Sequence, residues 1–251
     1  EIEKKFKNGN QLKLKQSLGL FDRFITLPAY AFSGVNTNSF TDLSLLVKKQ
    51  KHTMIGGLNI VIDKFRHRNF RILGAQTSTA GAYLQDTWDI SYRMILESGL
   101  RVDNMKFENA GYTKKQTFVL PRISALFKIS DKIGSRIGGG LGYKTPTVFT
   151  EETERLQYQN LQALKNVEAE RSVGGTADIN FKTKIIDDLT FSINQMFFYT
   201  AINKSLVLSM DAFGNYSFIN ASRPVTSSGF ETNLKFIYKE DLKLFVGYTY
   251  T

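Results

Sequence analysis

The chain has 251 residues, no cysteine and two histidines, His52 and His67. A serine or aspartate hydrolase would need one of these imidazoles beside a nucleophile or an acid. His67, four residues after Asp63 in the basic run "DKFRHRNFR", is the one candidate that the spacing offers. Without thiolates there is no disulfide framework, no cysteine metal site and no cysteine nucleophile. Glu151 with Glu152, or Glu168 with Glu170, could supply oxygen ligands to a hard cation, but solvated loop charge is the simpler account. The glycine run "IGGGLG" lacks the Lys-Ser/Thr that closes a phosphate loop. These residue types point away from an enzyme and imply no cofactor and no metal.

Binding chemistry is better represented. The formal charge is +10, with a pI near 9.6. Apart from short clusters at "VKKQKH" and "DKFRHRNFR", the cations are scattered among acids. That pattern argues against sequence-specific nucleic-acid recognition and fits a solvated basic surface, or one facing anionic lipid or lipopolysaccharide. Two stretches combine cations with aromatic rings, as capture of a bulky anionic small molecule or metal chelate requires. Arg136, Lys144, Phe149, Arg155, Tyr158 and Arg171 form the first; Phe213, Tyr216, Phe218 and Arg223 form the second.

The elements that position these residues follow a period of two. "DLTFSINQMFFYT" puts Leu189, Phe191, Ile193, Phe197 and Tyr199 on one face and Asp188, Thr190, Ser192, Asn194 and Thr200 on the other. "DLKLFVGYTYT" and "SVGGTADINFK" repeat the pattern. In "KIGSRIGGGLGY" the apolar positions are Ile133, Ile137, Leu141 and Tyr143, with Gly134, Gly138, Gly140 and Gly142 opposite. Tyr143 is expected to mark an outer interface and Pro146 the exit from the strand. The glycines would leave room for something close to the wall, or permit a bend.

About twelve such segments, each of about ten residues, match the span of a tilted transmembrane strand better than a soluble one. They lie near 11–21, 40–49, 53–63, 79–89, 92–103, 116–129, 132–143, 172–182, 189–200, 204–210, 226–238 and 242–251, and the segment at 204–210 is read equally as loop. Short connections at 49–52, 89–91, 130–132, 183–188 and 239–241 alternate with long ones at 22–39, 64–78, 104–115, 144–171 and 201–225. Brief turns at one end and long loops at the other are the layout of an outer-membrane barrel. No apolar run reaches the length of a transmembrane helix. Pattern alone does not say which strand face is inside.

At four places the chain resembles the C-terminal barrel of TonB-dependent outer-membrane receptors. "AGAYLQDTWDISYRMILESGLRVDNM" is similar to the family's Tyr-x-Gln-Asp-x-Trp strand and its Gly-Leu-Arg-x-Asp partner. "LPRISALFKISDKIGSRIGGGLGYKTPTVFTEE" resembles its Pro-Arg strand and Gly-Tyr-x-x-Pro exit. "LKNVEAERSVGGTADINFK" is like the family's stretch in which a Pro-Glu-x-Ser element starts the next strand, with Ala169 in place of the proline. "SRPVTSSGFETNLKFIYKEDLKLFVGYTYT" is like its Gly-(Phe or Val)-Glu hairpin.

The resemblance implies an all-β, antiparallel transmembrane barrel, with residues 1–251 as part of the barrel domain, roughly half of a barrel of about 22 strands. It implies a place in the bacterial outer membrane among lipid and lipopolysaccharide. It further implies energy-coupled import of a ferric siderophore, haem, cobalamin or similar solute, hence iron uptake. The implied partners are a plug domain, the remaining barrel strands and the TonB complex. The family's signal, TonB box and plug are absent from this stretch, so a barrel fragment is the expectation. A passive porin or self-contained barrel, and a soluble β-rich binding or adhesion module, are the alternatives.

Overall fold

A computed structural model describes residues 1–69, 73–239 and 241–251. Phe70 and Arg71 of the basic run, and Glu240 of the expected turn at 239–241, lie outside the described residues. The strands are β1 (Ile2–Lys5), β2 (Gln11–Leu27), β3 (Tyr30–Lys49), β4 (His52–His67), β5 (Ala75–Ser91), β6 (Met94–Asn109), β7 (Tyr112–Lys128) and β8 (Ile133–Lys144). After the short helix α1 (Glu151–Arg155) come β9 (Glu170–Ile186), β10 (Leu189–Asn203), β11 (Leu206–Met210), β12 (Tyr216–Asn220), β13 (Val225–Tyr238) and β14 (Leu242–Tyr250). Twelve of them form one antiparallel meander in the order β1 to β10, then β13 and β14, while β11 and β12 pair separately. The segment at 204–210 is therefore a loop hairpin. β1, too short and too charged to show alternation, is the addition.

Register shows how the two faces differ. Leu14, Leu43, Leu58, Ala82, Val102 and Val119 are partners in one unbroken row across β2 to β7. On the opposite face runs Lys15, Asp42, Asn59, Gly81, Asp103 and Phe118. Leu58 is 62% exposed, whereas Asp42, Asn59 and Asp103 are buried. The face without cover is the apolar one, the reverse of a soluble sheet and the arrangement of a wall facing hydrocarbon. Aromatic rings bracket that face. Phe181, Phe191 and Phe236 pack together toward the short turns, and Phe230 packs with Phe197, Tyr248 and Tyr250 toward the other end.

The strands are longer than the alternation implied. The stretch expected as a loop at 22–39 is mostly strand, with Pro28 and Ala29 alone between Leu27 and its partner Tyr30. At 104–115 the strands run to a two-residue turn, Ala110 and Gly111, with φ of 46° and 82° as such tight hairpins require. Beyond the apolar band neither face needs hydrocarbon, so alternation fades while pairing continues. Among the described residues, long connections remain at 145–169 and in the β11–β12 hairpin region.

Two glycine sites explain local geometry. Across β4 and β5, the Tyr83 ring covers Gly57, where an ideal Cβ would lie 2.6 Å from Tyr83 Cζ and 2.8 Å from the Leu43 carbonyl oxygen. We expect Gly57→Val to destabilise the wall by about 1–3 kcal/mol through displacement of that ring. An unchanged urea midpoint of the folded protein would refute the packing. In β8 the close approach is to backbone, since a Cβ on Gly139 would lie 2.8 Å from Gly174 O. The β7–β8 ladder ends at Arg122 and Gly140, but the β8–β9 ladder continues to Lys144 and Glu170. The glycine strand thus marks where β8 parts from β7, and the loop at 145–169 occupies the gap.

Candidate functional site

The buried cluster sits at the loop end of the polar face rather than along the wall. Phe32, Phe65, Phe107 and Phe118, from the ends of β3, β4, β6 and β7, pack against Val148, Tyr158, Leu164 and Val167 of the loop and against Phe218 of β12. These strand ends lie beyond the apolar band, so they need an apolar partner of their own, and the loop supplies it. Its first turn is set by Thr150, which caps α1 in a reciprocal pair with Thr153.

Contacts at both ends hold the loop down. Arg23 on β2 donates to Glu154 Oε1 at 2.7 Å and to the Tyr158 hydroxyl, and its guanidinium lies 5.5 Å from the Phe149 ring centre. Tyr158 stacks on Phe32 at 4.3 Å, and Tyr30 donates to the Tyr158 carbonyl at 3.0 Å. Burial pushes the Tyr158 hydroxyl up to about 12, so it stays protonated. At the returning end, Lys114 pairs with Glu168 at 2.9 Å and the Ala169 amide donates to Gln116 Oε1 at 2.9 Å. The hydrogen bond from Lys114 holds the Glu168 carboxyl below its usual range.

Below the loop the polar face carries a connected network. Tyr83 donates to Asp42 Oδ2 at 2.9 Å, Arg101 reaches Asn59 Oδ1 and Asp103 Oδ2 at 3.1 and 2.8 Å, and Tyr143 donates to the same Asp103 oxygen at 2.9 Å. Tyr143 also stacks on Phe118 at 3.9 Å. It therefore turns inward, correcting its expected place at an outer interface. The parting of β8 from β7 opens the space that its ring fills. Arg101 and Asp103 stand two residues apart in "GLRVD", which puts them on one strand face; that spacing was the available signal for this network.

The candidate binding residues divide into four sets. Phe149, Tyr158, Tyr216 and Phe218 come together in the packed loop, with Tyr158 and Phe218 buried. Lys144, Arg171, Arg155 and Arg223 are exposed around the loop end; Arg155 pairs with Glu151, and Arg171 lies over the Phe118 ring at 5.4 Å. Phe213 stands 91% exposed at the tip of the β11–β12 hairpin, whose turn is held by Asp211 accepting from the Phe213 and Asn215 amides. Arg136 is separate. It lies near the short-turn end of β8, opposite Asp178, beside a recess of about 580 Å³ that Glu97, Arg122 and the glycines also line.

The hydrolase candidate is not assembled. Asp63 accepts from Asn36, and His67 packs edge-on against Phe32 with its Nδ1 accepting from the Asn69 amide. The histidine–aspartate pair that does form is His52 with Asp86, on the outward face. Among the described residues no group of three or more His, Cys, Asp or Glu could hold a metal ion. What the loop end offers is cations and rings around a sheltered polar wall, a surface suited to binding.

Comparison with known proteins agrees with this architecture. A family model described as TonB dependent receptor-like, beta-barrel matches residues 8–251. No curated protein matches. Among solved structures, the FrpB iron transporter of Neisseria meningitidis in its apoprotein form superposes with a TM-score of 0.78 at 13% identity, over 99% of this chain and 42% of that one. The Serratia marcescens hemophore receptor HasR, in complex with HasA and heme, gives 0.68 at 11% identity, over 96% and 49%. The siderophore receptor PirA of Pseudomonas aeruginosa gives 0.69 at 15% identity, over 96% and 50%. At such identities the likeness is one of fold, and this chain spans half or less of each.

Proposed function

We propose, because this chain belongs to the TonB-dependent receptor-like β-barrel family of bacterial outer-membrane transport receptors, that it forms barrel wall and mouth for a receptor importing a large, scarce solute by energy-coupled transport. The observation that carries the reading is the reversed polarity of the wall, with Leu58 open to its surroundings while Asp42, Asn59 and Asp103 are sheltered. Such a wall is stable only with hydrocarbon on its outer side and polar groups within. The solute class proposed is a ferric siderophore, haem, cobalamin or similar chelate. Support comes from the exposed cations Lys144, Arg171 and Arg223 near the aromatic loop, and from neighbours described as iron, heme and siderophore proteins.

A plug domain, further strands and a TonB-type energy source are part of the proposal. In this scheme the wall does no covalent chemistry. It holds the loop end open to ligand and leaves the polar face for a plug that moves.

The test is uptake of radiolabelled ferric chelates and cobalamin by cells with and without the gene. Deletion should remove saturable uptake of one of them, and a protonophore should abolish the same component. Uptake that survives the protonophore would favour the passive porin instead.

A further inference from the structure

On the outward face, level with the short turns, lies a group of residues that transport leaves unused. His52 Nδ1 is 2.7 Å from Asp86 Oδ2, and the imidazole stacks on the Trp88 indole with ring centres 5.4 Å apart. Register places Lys49 opposite His52 and His52 opposite Trp88, so a cation, an imidazole and an indole stand side by side across β3, β4 and β5. Asp86 lies one step deeper on the same face, and its Oδ1 is buried without a hydrogen-bond partner among the described residues.

The groups that the row leaves over are the Lys49 ammonium, the Trp88 indole N–H and one nitrogen of His52. The carboxylate occupies Nδ1 of His52, so Nε2 is the nitrogen that remains. Lys49 forms no ion pair among the described residues, and no acid occurs from Leu43 to Ile62. Lys51, whose Nζ reaches the Ile90 carbonyl at 3.2 Å, ties the β3–β4 turn to β5, and Arg93 stands in the next turn. Toward the middle of the wall the same face continues into Met54, Leu84 and Leu58, the last two widely exposed. Donors at the interface with an apolar track above them match a phosphate carrying acyl chains.

We propose that Lys49, His52 and Trp88 bind the headgroup phosphate of an anionic glycerophospholipid in the leaflet that meets the short turns, with Asp86 orienting His52. The inference rests on the membrane reading above. Its test uses Trp88, the one tryptophan in this chain. The protein carrying this chain is reconstituted in phosphatidylcholine vesicles containing, at equal mole fraction, either brominated phosphatidylcholine or brominated phosphatidylglycerol. Trp88 emission is taken as the difference from the Trp88→Phe variant.

Both lipids should quench, and phosphatidylglycerol should quench more, with Lys49→Gln reducing its local enrichment by roughly fivefold. His52→Gln should reduce it as well. If His52→Gln does not fold, Lys49→Gln, at the exposed last residue of β3, gives the same reading. Equal quenching by the two lipids would overturn the site while leaving the membrane reading standing; no quenching by either would overturn both. Displacement of the brominated lipid by lipopolysaccharide but not by plain phosphatidylglycerol would also overturn the phospholipid assignment.

Discussion

Leu58→Arg should cost the folded protein about 2–4 kcal/mol in a bilayer, because it sets a guanidinium at the middle of the hydrocarbon layer. Leu58 lies halfway along β4, on the face of Leu14, Leu43 and Val102, and is 62% exposed. In a soluble protein a leucine so exposed would accept arginine at almost no cost. Gln85→Arg, on the opposite face of the neighbouring strand, should change stability little because that face is polar. The check is the urea midpoint of folding into lipid vesicles for the three proteins. Equal midpoints would remove the physical basis for the membrane-facing wall, and with it the transport proposal.

Tyr158→Ala should release the loop at 145–169 from the mouth without unfolding the wall. The side chain is 2% exposed, its ring lies on Phe32 and beside Phe149, and its hydroxyl receives Arg23. Loss of such a ring costs about 3–5 kcal/mol, more than the Lys114–Glu168 pair at the returning end restores, since exposed pairs contribute about 1 kcal/mol or less. The backbone at Tyr158 also has φ near 62°, a conformation that alanine does not ease. Cleavage within 145–169 by protease added to intact cells should rise sharply, while the wall keeps its urea midpoint. Cleavage at the wild-type rate would mean that the remaining contacts hold the loop by themselves.

Much of the wall was legible because hydrocarbon imposes a strict period. Leu189, Phe191, Ile193, Phe197 and Tyr199 share a face as their spacing predicts, and so do Leu242, Leu244, Val246, Tyr248 and Tyr250. The ends of the strands were less legible. From Asp22 to Ser39 neither face has to be apolar, so a paired ribbon reads as a loop. Tyr143 misled for a related reason. Its position in the alternation points outward, but β8 has already left β7 there and the ring follows the gap to Phe118 and Asp103.

The mouth was legible in kind rather than in detail. Phe149, Tyr158 and Phe218 were singled out as rings near cations, and they do meet, but as the packed base of the loop. Arg23 and Tyr30, which hold that base, carried no signal, because their partners lie more than a hundred residues away in the chain. His52 and Asp86 are likewise joined only through the β4–β5 register.

The sequence by itself determined the fold class, the two faces of each strand and the meander of hairpins, since these follow from local alternation and turn chemistry. Tertiary structure alone decided which face is sheltered, where the glycine strand lets the loop in, and which distant side chains meet. Those depend on register and loop closure, which are settled by contacts between segments far apart in the chain.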